Sequence, residues 1–226
     1  MCALRIRYQT VEFGNVDIHI RSLRDRQEYR EDKVAAQHGI SQAQWSLFGI
    51  VWDSGIQLAR LMFGFDLRGR RILEVGCGIG ITSLVLNHRG ANITATDRHP
   101  ESANFLKKNV LLNGGEPIPF VRTGWAEPLQ EALGTFDLIV GSDLLYERGQ
   151  AAMLSSFIDR HARKNCEAII VDPKRGYGSR FRRAMLEQGY TYQVHETAMA
   201  VPGEKEYRGL IMVFTRADEP TAEGAR

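Results

Sequence analysis

The stretch Arg71-Ile72-Leu73-Glu74-Val75-Gly76-Cys77-Gly78-Ile79-Gly80 decides how this chain is read. The apolar run from Ile72 to Val75 predicts a buried strand. Ile81, Thr82, Leu84, Val85 and His88 predict the helix that follows. Glycines between them permit a tight turn and let a ligand lie against bare backbone at a helix N-terminus. This combination marks a nucleotide-type cofactor site.

Its details select among cofactors. A dinucleotide fingerprint has Gly or Ala at the sixth position of G-x-G-x-x-G, with a pyrophosphate on the helix start. Here the sixth position is Ile81, and the strand carries the carboxylate Glu74 near its end. A glutamate in contact with phosphate charge costs about 1–4 kcal/mol even in partly aqueous surroundings. The same carboxylate attracts a cationic ligand. S-adenosylmethionine, with its ammonium, sulfonium and adenosine and no phosphate, fits better than NAD.

Working outward, Asn92-Ile93-Thr94-Ala95-Thr96 predicts the next strand and ends in Asp97, 21 positions after Gly76. A carboxylate about 20 residues on is placed to accept hydrogen bonds from ribose hydroxyls. Taken alone, Asp97 also fits a turn or capping aspartate before His99-Pro100. Paired with the glycine turn at this spacing, it reads as the ribose carboxylate.

Beyond this unit, helices and strands alternate. Leu4–Phe13 and Val16–Leu23 alternate apolar and polar residues around Gly14-Asn15, predicting a β-hairpin. A polar helical stretch follows over Asp25–Gln37, and Ser41 can cap a short helix through Trp45 and Phe48. Ile56, Ala59 and Phe63 share one helical face. Further helices are expected over Pro100–Asn113, Gln150–Lys164 and Arg180–Gln188, and strands over Ile118–Arg122, Phe136–Gly141, Ala168–Val171, Tyr190–Ala198 and Gly209–Thr215. The pattern implies an α/β, Rossmann-like fold: a seven-stranded, mostly parallel sheet with helices on both faces and an antiparallel last strand. Residues 1–44 are expected to form an N-terminal hairpin and helical extension, residues 45–216 the cofactor-binding domain, and residues 217–226 a mobile tail.

Bulk properties narrow the class. At 226 residues one domain is expected, and 43% apolar with 25% charged residues is ordinary for a soluble protein. A net charge of +2 argues against a general nucleic-acid or membrane partner. Three scattered cysteines, Cys2, Cys77 and Cys166, make neither a disulfide framework nor a metal cluster, which points to a reducing compartment. Neither a secretory leader nor a membrane span is evident, so the expected location is cytoplasmic.

With these residues in place, the chain resembles the seven-stranded S-adenosylmethionine-dependent methyltransferases, in particular the branch of small protein-lysine methyltransferases often labelled nicotinamide N-methyltransferase-like. The resemblance runs from about Trp45 to Phe214. It rests on Val51-Trp52-Asp53-Ser54-Gly55, Glu74 to Gly80, Gly124-Trp125 and Asp143-Leu144-Leu145-Tyr146. It implies that Trp52 lies over the cofactor, that Trp125 sits near the adenine, and that Asp143 and Tyr146 border cofactor and target amine. The expected cofactor set is therefore Trp52, Glu74, Gly76, Cys77, Gly78, Gly80, Asp97, Arg98, Trp125, Ala126 and Asp143, with Asp143 and Tyr146 as candidate catalytic residues and no metal. Trp52 also fits a core tryptophan, and Asp143 and Tyr146 a helix cap and a packing aromatic.

The expected acceptor is a protein lysine or, alternatively, a small amine; a cofactor-binding protein without turnover is the reading from another class. The expected assembly is a monomer or small homo-oligomer. A lysine must lose its proton to become a nucleophile, an apolar channel lowers its pKa, and Asp143 would steer the cation inward. Patterns for adenine N6, glutamine amide and cytosine C5 methylation are missing: Ser142-Asp143-Leu144-Leu145 stands where a Pro-Pro-aromatic motif would be, and the sequence holds no Pro-Cys pair. The six histidines lack metal-ligand spacing. Asp172-Pro173-Lys174-Arg175 reads as a turn that could also face substrate, and Arg180, Arg182 and Arg183 as a solvated helix face.

Overall fold

The computed structural model describes residues 4–28, 35, 37, 39–127, 133–199 and 206–217. The hairpin forms as its alternation dictates. β1 (Ile6–Phe13) and β2 (Val16–Leu23) pair antiparallel, and Ile18, Ile20 and Leu23 turn inward. Gly14, at φ 63°, makes the reversal. The outer edge of β2 is closed by side chains from the domain. Asn113 and Asn109, one helical turn apart, accept from the backbone N–H groups of His19 (2.8 Å) and Arg21 (2.7 Å) and donate to the carbonyls of the same two residues. Two amides thus stand in for a third strand on an edge otherwise open to pairing. The expected helix over Asp25–Gln37 falls mostly on residues outside those described, as do the Pro202-Gly203 turn and most of the tail.

A four-residue helix, α1 (Gln42–Trp45), begins after Ser41, whose hydroxyl accepts from the Gln44 N–H at 3.2 Å. Then come α2 (Asp53–Gly64), β3 (Arg71–Val75), α3 (Ile81–His88), β4 (Asn92–Asp97), α4 (Ser102–Leu112) and β5 (Phe120–Arg122). The second half comprises β6 (Phe136–Ser142), α5 (Gln150–His161), β7 (Ala162–Asp172), α6 (Gly178–Glu187), β8 (Thr191–Met199) and β9 (Tyr207–Arg216). Seven strands form one sheet in the order β5-β4-β3-β6-β7-β9-β8. The first five are mutually parallel, and β9 runs antiparallel between β7 and β8, as expected of the last strand.

Strands buried on both faces divide their side chains between two cores. Leu73 and Val75 pack with Leu154, Phe157 and Ile158 of α5. Ile72 packs with Leu58 and Met62 of α2 and Leu86 of α3 on the other face.

The largest boundary difference from expectation lies between α5 and β7. The helix predicted to reach Lys164 stops at His161, and β7 starts at once, six residues before the predicted Ala168. Sheet bonding overrides the helical pattern. Ala162 pairs with Phe136, the register then shifts so that Leu138 faces Glu167, and Arg216 Nη2 holds the carbonyls of Ala162 and Arg163 at 3.0 and 3.2 Å. From β3 the chain winds outward through β4 and β5 and then crosses back to β6. The carboxyl ends of β3 and β6 therefore meet at the point where the winding reverses, where open α/β sheets form a crevice.

Candidate functional site

The crevice is a cavity of about 520 Å³, within the range of ligand sites. Gly76 and Gly78 border it from the turn after β3, Asp97 and Arg98 from the end of β4, Trp125 and Ala126 from beyond β5, and Asp143 and Tyr146 from beyond β6. Trp52, at the start of α2, completes the wall. Nine of the sequence-derived site residues thus share one cavity. Glu74, Cys77 and Gly80 do not line it.

The glycines serve different ends. Gly76 has φ 62°, and a Cβ there would lie 2.6 Å from Leu144 Cδ2. Its bareness lets the Asp143-Leu144-Leu145-Tyr146 segment close over the turn. At Gly80, with φ 85°, a Cβ would meet Leu106 Cδ1 at 2.3 Å. Gly80 therefore seats α3 against α4, away from the ligand space.

Glu74 points elsewhere than its expected role requires. Its carboxylate is buried beneath the first turn of α3, where it accepts from the Ser83 N–H (2.9 Å) and the Ser83 hydroxyl. It reads as an internal anchor of the glycine turn, and its influence on a ligand's charge passes through the backbone it holds. Burial pushes its pKa from an ordinary 4.5 up to about 7. For an acid the folded state then binds its proton more tightly than the unfolded chain does. Its contribution to stability is thus fully present below about pH 4.5 and lost as pH rises towards about 7. Glu74→Gln should remove much of that decline, read as a flatter melting temperature over this interval.

Cys77 is buried in the core with Ile79 and Ile81, and burial pushes its thiol well up, so it packs rather than reacts.

Asp97 holds the turn that follows β4 and also the glycine turn after β3. Oδ1 accepts from the His99 N–H at 2.7 Å, the turn interaction, while Oδ2 accepts from the Gly78 N–H at 2.8 Å and ties the two strand ends together. The residue faces the cavity. The Trp52 indole donates to the Leu47 carbonyl at 3.2 Å, and the guanidinium groups of Arg26 and Arg175 lie 4.3 and 5.8 Å from its ring.

The largest departure concerns Asp143. It sits at φ 55°, unusual for a non-glycine residue, and its N–H still donates to the Val171 carbonyl of β7 at 2.9 Å. Its carboxylate is not a free acceptor. Arg175 grips it bidentately, Nε to Oδ1 at 2.7 Å and Nη2 to Oδ2 at 2.9 Å. Sequence reasoning placed Arg175 in a turn and left it out of the site. The only hint was that the turn leaves the carboxyl end of a sheet strand.

Also missed were Gln44 and Glu147, bonded to each other at 2.7 Å across the cavity wall, and Gln150, whose Oε1 accepts from the N–H groups of Tyr146 and Glu147 at 2.9 Å each. Phe48 and His99, stacked at 3.8 Å, form another part of the wall. Among the described residues, no group of three or more His, Cys, Asp or Glu is arranged to hold a metal ion.

Such a sheet, glycine turn and strand-end carboxylate define a class: α/β proteins that bind a nucleoside-containing cofactor at the switch point. The profile of the Lysine methyltransferase family matches residues 34–187, and the chain belongs to that family. It is 35% identical over 122 residues to the protein N-lysine methyltransferase METTL21A of Danio rerio, covering 49% of this chain and 56% of that one. With the electron transfer flavoprotein beta subunit lysine methyltransferase of Rattus norvegicus it shares 28% over 179 residues, 75% of this chain and 64% of the relative. The chain thus spans less than two thirds of the length of these two curated relatives. In fold it is similar to the solved structure of magnesium protoporphyrin IX methyltransferase from Synechocystis, with a TM-score of 0.56 at 20% identity over 73% of this chain and 78% of that one.

Proposed function

We propose that this chain transfers a methyl group from S-adenosylmethionine to the side-chain nitrogen of a lysine in a protein. The observation that carries the reading is the meeting, in one cavity, of bare backbone at Gly76 and Gly78, the carboxylate of Asp97 and the Asp143-to-Tyr146 segment. The residues fit the cofactor. A Cβ at Gly78 would meet nothing within 4 Å, so the turn leaves open space beside its backbone. In this reading Asp97 holds the ribose hydroxyls, Trp125, Ala126 and Arg98 lie around the adenosine, and Gly76, Gly78 and Trp52 accommodate the methionine end. When bound, S-adenosylmethionine would supply a methyl group that a neutral amine attacks in line, the N–C bond forming as the sulfonium S–C bond breaks and S-adenosylhomocysteine leaves as a neutral thioether.

The protein's own task is alignment, which can account for roughly 7–11 kcal/mol of barrier reduction. Tyr146 supports this division. Burial pushes its pKa up to about 12, so its hydroxyl stays protonated at working pH and cannot take the lysine proton. Tyr146→Phe should therefore lower kcat by less than about tenfold, against the roughly hundredfold or more expected for a lost general base. A larger fall, or a displaced pH–rate profile, would return Tyr146 to acid–base chemistry.

Family membership and the lysine methyltransferase activities for which METTL21A and the flavoprotein-directed relative are named support protein lysine as acceptor. Incubation with tritiated S-adenosylmethionine and cell lysate should place label on protein, recovered as methyllysine after hydrolysis. Label confined to small molecules would favour a metabolite amine instead. Binding without any S-adenosylhomocysteine formed would leave a cofactor-binding protein without turnover. Among the described residues no helix is long and apolar enough to cross a membrane. The buried free thiols of Cys77 and Cys166 support a reducing, cytoplasmic setting, and we place the protein there as a monomer or small homo-oligomer, with residues 1–44 as an extension of the catalytic domain.

A further inference from the structure

We propose that Arg175 is a positioning residue that cancels the charge of Asp143, so that the target lysine enters the cavity as a neutral amine with its proton left in bulk water. The proposal rests on the methyltransferase reading above and concerns how the same site handles its acceptor.

Three observations carry it. Both oxygens of Asp143 are engaged by Arg175 in a fork geometry, the strong form of a guanidinium–carboxylate pair. The pair lies in the wall of the cavity itself, with the Asp143 side chain only 10% exposed and Arg175 reaching in at 42%. Asp143 adopts a backbone conformation that few non-glycine residues take, and such conformations persist where the surroundings impose them.

A lone carboxylate here would stabilise an incoming ammonium and so oppose the deprotonation that methylation requires. An opposite charge at 4–6 Å shifts a pKa by roughly 1–3 units towards the charged form. Paired with Arg175, the same group offers oriented oxygens without that net pull.

The other charged and titratable groups facing the pair do not replace this effect. Asp172 at the end of β7, Tyr207 on β9, Asp53 at the start of α2, Asp97 on β4, and Tyr146 and Glu147 beyond β6 all act on the pair or its immediate neighbours. All are acidic or neutral groups, which increases the demand on the guanidinium of Arg175 that pairs with Asp143. The nearby cations have other engagements. Lys174 is paired with Glu196 at 2.9 Å, Arg98 donates to the Gly39 carbonyl, and Arg26 lies over Trp52.

The test is the pH profile of kcat, from about pH 6 to pH 10, for tritium transfer from S-adenosylmethionine to the proteins of a heat-treated cell lysate at saturating concentration, because kcat reports the ionisation of the bound lysine. Calorimetric binding of S-adenosylmethionine to each variant reports on folding and on the cofactor site. Arg175→Gln should move the profile at least about one unit towards alkaline pH, roughly a tenfold loss of kcat at neutrality. Asp143→Asn, which leaves an unopposed guanidinium, should move it in the acid direction. The double variant should return the midpoint to the native position whatever its absolute rate, and Arg175→Lys, which keeps the charge, should hold it there. A native midpoint in Arg175→Gln with intact cofactor binding, single variants shifting in the same direction, or a double variant that stays displaced would each overturn the proposal. Failure of the native protein to label lysate protein at all would instead sink the functional reading.

Discussion

Asp97→Ala should raise the dissociation constant for S-adenosylmethionine by roughly five- to a hundredfold, about 1–3 kcal/mol. The carboxylate stands at the carboxyl end of β4 and faces the cavity, where ribose hydroxyls would lose a charged acceptor. A second effect adds to the first. The N–H groups of Gly78 and His99, now held at 2.8 and 2.7 Å, would lose their partner, and the glycine turn would lose its tie to the neighbouring strand. The melting temperature should therefore fall as well. Asn should give a smaller loss of stability, because its single oxygen keeps one of those donors, while its amide still removes the negative charge. Calorimetry is the measurement. An unaltered affinity in Asp97→Ala would confine the residue to its turn and deny it the ribose.

Gly141→Val should destabilise the fold by on the order of 3 kcal/mol, the upper part of the range for overpacking a core. Gly141 lies on the central strand β6, flanked by β3 and β7. A Cβ there would sit 2.6 Å from Leu144 Cδ1, 2.9 Å from Val75 Cγ2 and 3.0 Å from the Val75 carbonyl oxygen. The two side chains could turn away. The carbonyl cannot, because it belongs to the backbone of the neighbouring strand. Relief would have to come from separating the carboxyl ends of β3 and β6, where the cavity opens. Denaturant unfolding should show the loss at full size, with cofactor affinity weakened in parallel. A variant as stable as the parent would mean that this strand end is looser than its packing implies.

How much of this was legible in the residues depends on the range over which each signal acts. The glycine turn, the strand before it and the helix after it lie within 18 positions, from Arg71 to His88, and were readable because burial periodicity and turn chemistry are local. Asp97 was readable because a βαβ unit has a nearly constant length. The helix expected to extend to Lys164 failed for the opposite reason. Its last turn competes with pairing to Phe136 and with Arg216, a partner 54 positions away at Ala162. Glu74 was correctly placed on its strand, but the direction of its carboxylate was not readable. Strand alternation gives a face, whereas Ser83, nine positions on, decides what that face meets.

The amino-acid sequence alone determined the α/β class, the glycine turn and Asp97, because each is written in spacing over a few turns of chain, while Trp52, Trp125, Asp143 and Tyr146 were marked by the family resemblance. Tertiary structure alone decided which charges remain available there. Asp143 and Arg175 are 32 positions apart, and they meet only because β6 and β7 lie side by side in parallel, so that the loops leaving them emerge at one edge of the sheet. Pairing of that kind follows from strand order and register, which the periodicity of a single strand does not encode.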